Sequence, residues 1–99
     1  MGNAIHMVKV DEVVFFEAAD KYVRVLTPGR EHLIRMSLRE LLPRLDAAKF
    51  WQVHRGTVVR AEAITAAERD EAGKVTLKLE GRPERLVVSR VHAHRFKAM

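Results

Sequence analysis

The sequence predicts a single, mainly β domain with short helices, and three observations carry that reading. Apolar and polar residues alternate with period two through 21–27 and 75–80. Turn chemistry separates the alternating runs, at Pro28-Gly29, Glu71-Ala72-Gly73 and Gly81-Arg82-Pro83. Helical signals are confined to two short stretches, one after Ser37 and one after Ser89. With 99 residues, 47% hydrophobic and 31% charged, the chain is sized for one core and lies far from the composition of disordered chains.

Met1 to Ala4 reads as a cloning remnant, which leaves 5–99 as the domain. Val13-Val14-Phe15-Phe16-Glu17 is too short for a helix and predicts a strand over 13–17 buried on both faces. In 21–27, Tyr22 and Arg24 take one face and Val23 and Val25 the other, so Arg24 is expected on the displayed side of a half-buried strand. Pro28-Gly29 turns the chain into a second strand over 31–36. Ser37-Leu38-Arg39-Glu40 has the form of a capping box, with Met36 and Leu41 placed as a hydrophobic staple. The helix that follows is expected to last barely two turns, because Pro43 removes a backbone donor. Its leucines, Leu38, Leu41, Leu42 and Leu45, are expected in the core. Strands over 64–69 and 74–80 form a second hairpin, a third strand covers Arg85-Leu86-Val87-Val88, and Ser89 is placed to cap a terminal helix running from Arg90.

Composition narrows the function. Cysteine is absent, which removes disulfides, thiol nucleophiles and thiolate metal sites, and is compatible with a cytoplasmic setting. No apolar run approaches the roughly 20 residues of a membrane-spanning helix. His92 and His94, two residues apart on a helix, would point about 200° apart, so they cannot share a metal. The carboxylates are scattered, no glycine-rich phosphate loop occurs, and Ser37 and Ser89 are accounted for as caps. No catalytic set, metal site or cofactor is therefore expected.

Charge is the positive signal. Eighteen Lys and Arg against thirteen Asp and Glu give a net charge of +5. Three windows, 21–30, 47–61 and 85–99, contain no acidic residue and hold ten of the eighteen basic ones. If folding gathers those windows they form a surface of the kind that phosphates select; if not, they are separate solvated faces. Between Phe50-Trp51, which read as core, and Arg60 lies His54-Arg55-Gly56-Thr57. His54 is expected to bond a neighbouring backbone group. Arg55, beside glycine in a turn, presents a planar fork of donors that matches guanine O6 and N7 or two phosphate oxygens. Arg90, at the start of the expected terminal helix, sits where exposed amides attract phosphate.

Five segments carry a resemblance: Asp11-Glu12-Val13-Val14-Phe15-Phe16-Glu17-Ala18, Asp20-Lys21-Tyr22-Val23, Ser37-Leu38-Arg39-Glu40-Leu41, Phe50-Trp51-Gln52-Val53-His54-Arg55 and Val88-Ser89-Arg90. In this order and spacing the chain resembles the LytTR (LytR/AlgR-type) family, the DNA-binding output domains of bacterial response regulators. The resemblance implies an elongated, mostly antiparallel fold whose loops enter successive major grooves of double-stranded DNA, commonly at direct repeats. It places the contacts at Lys21 to Arg24, at His54 to Thr57 and at Ser89-Arg90. On this reading Arg55 and Arg90 touch base edges, while Lys21, Arg24, Thr57 and Arg60 position phosphates, and an upstream receiver or sensor domain controls binding.

Two departures stand out. Gly56 occupies a position where serine is usual, and Arg60 one where asparagine is common. The family also begins with a strand ahead of Ile5 that the sequence lacks, which would leave an edge open to homodimer formation. The main rival is a protein-interaction module docking an acidic partner on the basic face. A single-strand or RNA binder would need exposed stacking rings, whereas most of the aromatic residues read as core.

Overall fold

The computed structural model describes residues 10–93. Among these residues eight strands form two antiparallel sheets: β1 (Phe15–Ala19), β2 (Tyr22–Thr27), β3 (Arg30–Ile34), β4 (Phe50–His54), β5 (Thr57–Arg60), β6 (Ile64–Arg69), β7 (Val75–Leu79) and β8 (Arg85–Val88). The first sheet has the order β3-β2-β1-β5-β4, the second β6-β7-β8. The Cα atoms extend over 52 × 25 × 23 Å, so the fold is elongated as well as mainly β.

Strict alternation gives the five-stranded sheet two apolar faces. Phe15, Leu26, Val53 and Val59 point to the three-stranded sheet and pack with Val75, Leu77, Leu79, Leu86 and Val88. Phe16, Val23, Val25, Phe50 and Val58 point the other way and pack with Leu38 and Leu41. The run Val13 to Phe16 is buried on both faces because β1 is the central strand between these two layers. The strand itself runs 15–19 and not 13–17: Glu17, Ala18 and Ala19 are held in the ladder by Arg24, Val23 and Tyr22. β3 closes at Ile34, two residues before the expected end, where the chain bends and the Met36 amide reaches the Ile34 carbonyl at 3.1 Å.

Helix α1 (Leu38–Leu41) carries the capping box that its sequence announces. The Ser37 side chain accepts from the Glu40 amide at 3.1 Å, and the Ser37 amide donates to Glu40 Oε1 at 3.3 Å. Pro43 confines the continuation to a 3-10 turn at Leu42–Arg44. After β8 the expected helix is not continuous over the described residues. Residues 90–92 form a turn, and Ser89 Oγ lies 2.7 Å from Nδ1 of His92. The rest of that expected helix, with His94, and the edge ahead of Ile5 lie outside the described residues.

Two clips hold the sheets together at opposite ends. At one, the Ser89 amide donates to the Val53 carbonyl at 2.8 Å. At the other, Gly81, at φ +86, lies so near the β2–β3 turn that a Cβ there would sit 3.0 Å from Pro28 Cγ. Arg82 donates from Nη1 to the carbonyls of Thr27 and Arg30 at 3.2 Å each, and its Nη2 meets Glu84 Oε2 at 2.5 Å.

Candidate nucleic-acid interface

β1 pairs antiparallel with both β2 and β5, so the β1–β2 turn and the β4–β5 turn must emerge at the same end of the sheet. The Ala18 amide donates to the Gly56 carbonyl at 2.8 Å, which locks the two turns side by side. The Ser89–Val53 bond brings the end of β8 to the same place. Lys21, His54, Arg55 and Arg90 are therefore neighbours at one end of the molecule, and all four are exposed. Among the described residues, no ion pair engages Lys21, Arg55 or Arg90. Unpaired cations gathered from three separate segments create a local positive field that a net charge of +5 alone does not convey.

The turns are built to hold their shape. Asp20 takes φ +59, a left-handed conformation that Asp tolerates better than most residues, and so carries Lys21 at the tip of the hairpin. On β4 the register slips between Gln52 and His54, leaving Val53 as a bulge residue whose side chain is fully buried. Gln52 Nε2 donates to the Arg55 carbonyl at 3.3 Å, and the Gly56 amide donates to Nδ1 of His54 at 3.3 Å. That last bond is the backbone contact the sequence predicts for His54. It makes Nδ1 an acceptor, so on this exposed side chain Nε2 is the ring nitrogen left to act as a donor.

The remaining expected contact residues are placed differently. Arg24 is 33% exposed and clamped between two carboxylates. Its Nε and Nη2 form a fork on Glu31 at 2.7 and 2.9 Å, and Nη1 meets Glu17. The bonds to Glu31, then the nearby negative charge, hold the Arg24 guanidinium above its ordinary pKa; the bond from Arg24 holds Glu31 below the usual carboxylate range. Alternation does put Arg24 on the side opposite Val23 and Val25, but the neighbouring strands supply acids there. Arg60 pairs with Phe50 at the far end of the sheet, donates from Nε to the Val13 carbonyl at 2.7 Å and meets Glu62 at 3.6 Å. It is not brought to the cluster. Thr57 is next to the turn and mostly buried, at 9% exposure, and lines the shallow depression beside that turn. Of the three acid-free windows, only the ends near 21, 54 and 89 converge; Arg30 and Lys49 lie with Arg60 at the other end.

Between the β4–β5 turn and β8 runs a shallow depression of about 350 Å³ lined by Glu17, His54, Gly56, Arg85 and Val87. A second, of about 200 Å³, joins Arg90 to Lys74 in the β6–β7 turn. Sequence reasoning singled out neither Arg85 nor Lys74 as a contact, since each reads as an ordinary exposed charge beside a strand. A larger hollow of about 620 Å³ lies on the α1 face and is lined almost wholly by apolar residues such as Val13, Phe16, Val25 and Leu41, with His32 and Arg44 at its rim.

Among the described residues the domain is an elongated pair of antiparallel sheets with cations on three adjacent turns and a single four-residue α-helix, an arrangement in which turns, not a long helix, are offered to a partner. The family model for the LytTr DNA-binding domain matches residues 3–99. The chain belongs to the LytTR family of DNA-binding domains, which function in transcription regulation. It is similar to an uncharacterized response regulatory protein of Vibrio cholerae serotype O1, with 38% identity over 97% of this chain. The chain spans 38% of the length of that relative. Among solved structures it is similar to the LytTr DNA-binding domain of a methyl-accepting/DNA response regulator from Bacillus cereus. The TM-score is 0.84 at 26% identity, covering 98% of this chain and 88% of that one.

Proposed function

We propose that the end of the molecule carrying Lys21, His54, Arg55 and Arg90 reads double-stranded DNA in the major groove, sequence-specifically, by inserting its turns. The observation that carries this reading is the convergence of cations without acidic partners on turns whose backbone is braced. Arg55 and Arg90 are assigned to base edges, where a guanidinium can address guanine O6 and N7 together. Lys21 positions phosphate, and His54 adds an Nε2–H donor beside Arg55. Arg24, held by Glu17 and Glu31, braces the sheet behind this surface, Thr57 lines the depression beside it, and Arg60, at the opposite end of the sheet, takes no part in it. In a full-length regulator of the cytoplasm the domain is the output module, governed by an upstream receiver or sensor, with copies set side by side on direct repeats.

Fluorescence-anisotropy titration of the domain against genomic promoter fragments, with scrambled duplex as competitor and at two salt concentrations, tests the reading. Selective, salt-sensitive binding that is lost in Arg55→Ala and Arg90→Ala supports it. Binding equally weak on every duplex and unaffected by both substitutions overturns it, and an acidic protein partner then becomes the better account of the basic end.

A further inference from the structure

The depression beside the β4–β5 turn has two walls, and only one of them belongs to the segments discussed so far. The other is β8, whose outward-facing residues are Arg85 and Val87, while Leu86 and Val88 point into the core. We propose that β8 extends the DNA-contact surface and that Arg85 is a phosphate-positioning residue held in reserve by Glu68. The inference rests on the major-groove reading above, because it needs the adjoining turn to be the part that approaches the duplex.

The arginines of this molecule differ in how firmly they are held. Arg24 is forked on one carboxylate and touches a second, Arg60 is tied to a backbone carbonyl, and Arg82 combines two carbonyls with Glu84. Among the described residues Arg85 has a single partner, Glu68 Oε1, at 3.5 Å, and its side chain is 58% exposed. Glu68 is shared, since its other oxygen lies 3.3 Å from Lys78 Nζ. An exposed, long ion pair with a divided carboxylate is a weak restraint. A phosphate arriving at the depression can replace Glu68 at Arg85 while Lys78 keeps the carboxylate neutralised. The exchange releases a counterion from DNA and strands no charge.

Binding of the intact domain to its selected operator and to scrambled duplex, each over a series of salt concentrations, tests this. Arg85→Ala should weaken both duplexes alike, by about three- to tenfold, and reduce the slope of log K against log salt by about one. Arg85→Lys should restore most of the slope. Glu68→Gln, which frees Arg85, should strengthen binding by about two- to threefold, and the gain should vanish when Arg85→Ala is added. Unchanged affinity and slope in Arg85→Ala would overturn the assignment, as would a Glu68→Gln gain that survives in the double variant, which would put Lys78 in the role. If the unaltered domain itself failed to discriminate operator from scrambled duplex, the underlying major-groove reading would be the one refuted.

Discussion

Replacing Arg60 with Ala separates a structural arginine from the proposed reading one, Arg55, two roles that sequence position alone merges. The Nε–H bond to the Val13 carbonyl, at 2.7 Å, is charge-assisted, and bonds of this type contribute about 1.5–3 kcal/mol. The pair with Glu62, at 3.6 Å and with that carboxylate 79% exposed, adds roughly 0–1 kcal/mol. Removing the side chain also exposes the loop that leads into β1. The expected loss is about 2–3 kcal/mol, or about 10–20 °C in Tm for a domain of this size. Urea denaturation followed by circular dichroism measures the first quantity, and DNA titration well below the melting range measures affinity in the folded state. Arg60→Ala should lower the urea midpoint and leave affinity within about twofold, whereas Arg55→Ala, on an exposed turn, should do the reverse. An Arg60→Ala domain of unchanged stability that has lost DNA affinity would refute the reasoning.

Other substitutions probe the turns and clips. Gly56 has ordinary backbone, and an added Cβ would meet Ala18 Cβ at a relaxed 3.7 Å. Gly56→Ser, restoring the residue usual in the family, should therefore keep the melting midpoint and raise DNA affinity by about 0.5–1.5 kcal/mol, or about two- to tenfold. Gly81 and Gly29 both have positive φ, at +86 and +75, but only at Gly81 would a Cβ press on Pro28. Gly29→Ala should cost about 1 kcal/mol and Gly81→Ala about 2–3 kcal/mol in urea denaturation, so equal costs would argue against the close approach of the two hairpins. Ser37→Ala should lower stability by about 1 kcal/mol through loss of the capping box, with no change in DNA binding. The carboxyls of Glu31 and Glu84 are held below their ordinary value by bonds from Arg24 and Arg82. Their stabilising contribution is thus complete above about pH 4.5 and lost as pH falls through the lower folded-state values. Thermal midpoints recorded from about pH 7 to about pH 3 should show that loss, and Glu84→Gln should make the decline shallower.

Local signals in the sequence were read correctly where local chemistry decides the outcome. The hairpin around Pro28-Gly29, the cap at Ser37, the strand at 85–88 and the Gly56–His54 bond depend on residues a few positions apart. Errors arose where partners come from another strand. β1 runs two residues past the expected strand end at 17 because Ala18 and Ala19 find ladder partners in Val23 and Tyr22, which local hydrophobicity does not encode. The outward face of Arg24 was legible from alternation, but Glu17 and Glu31 reach it only after β1 and β3 pair on either side of β2. Arg60 shared an acid-free window with Arg55 and ended at the opposite end of the sheet, because β5 carries it there. Of the helix expected after Ser89 only the start falls among the described residues; it is a turn over 90–92 that leads into a 3-10 position at Ala93, with Nδ1 of His92 beside the Ser89 hydroxyl. Arg85 and Lys74 went unnoticed as contacts because their significance lies in which turns fold up beside them.

The Ser89–Val53 bond has a meaning beyond joining two sheets. It fixes the gauge between the elements that carry Arg55 and Arg90, much as the jaws of a locked caliper are fixed. On the proposed reading, one base pair inserted between the positions that Arg55 and Arg90 address would shift the second contact by about 3.4 Å along the duplex and turn it by roughly 34–36° around it. A protein with a flexible tether between its contacts could absorb such a change. Two proposed contacts joined to one braced frame cannot, so the expected outcome is a domain far less tolerant of spacing within a proposed half-site than of spacing between repeats bound by separate copies.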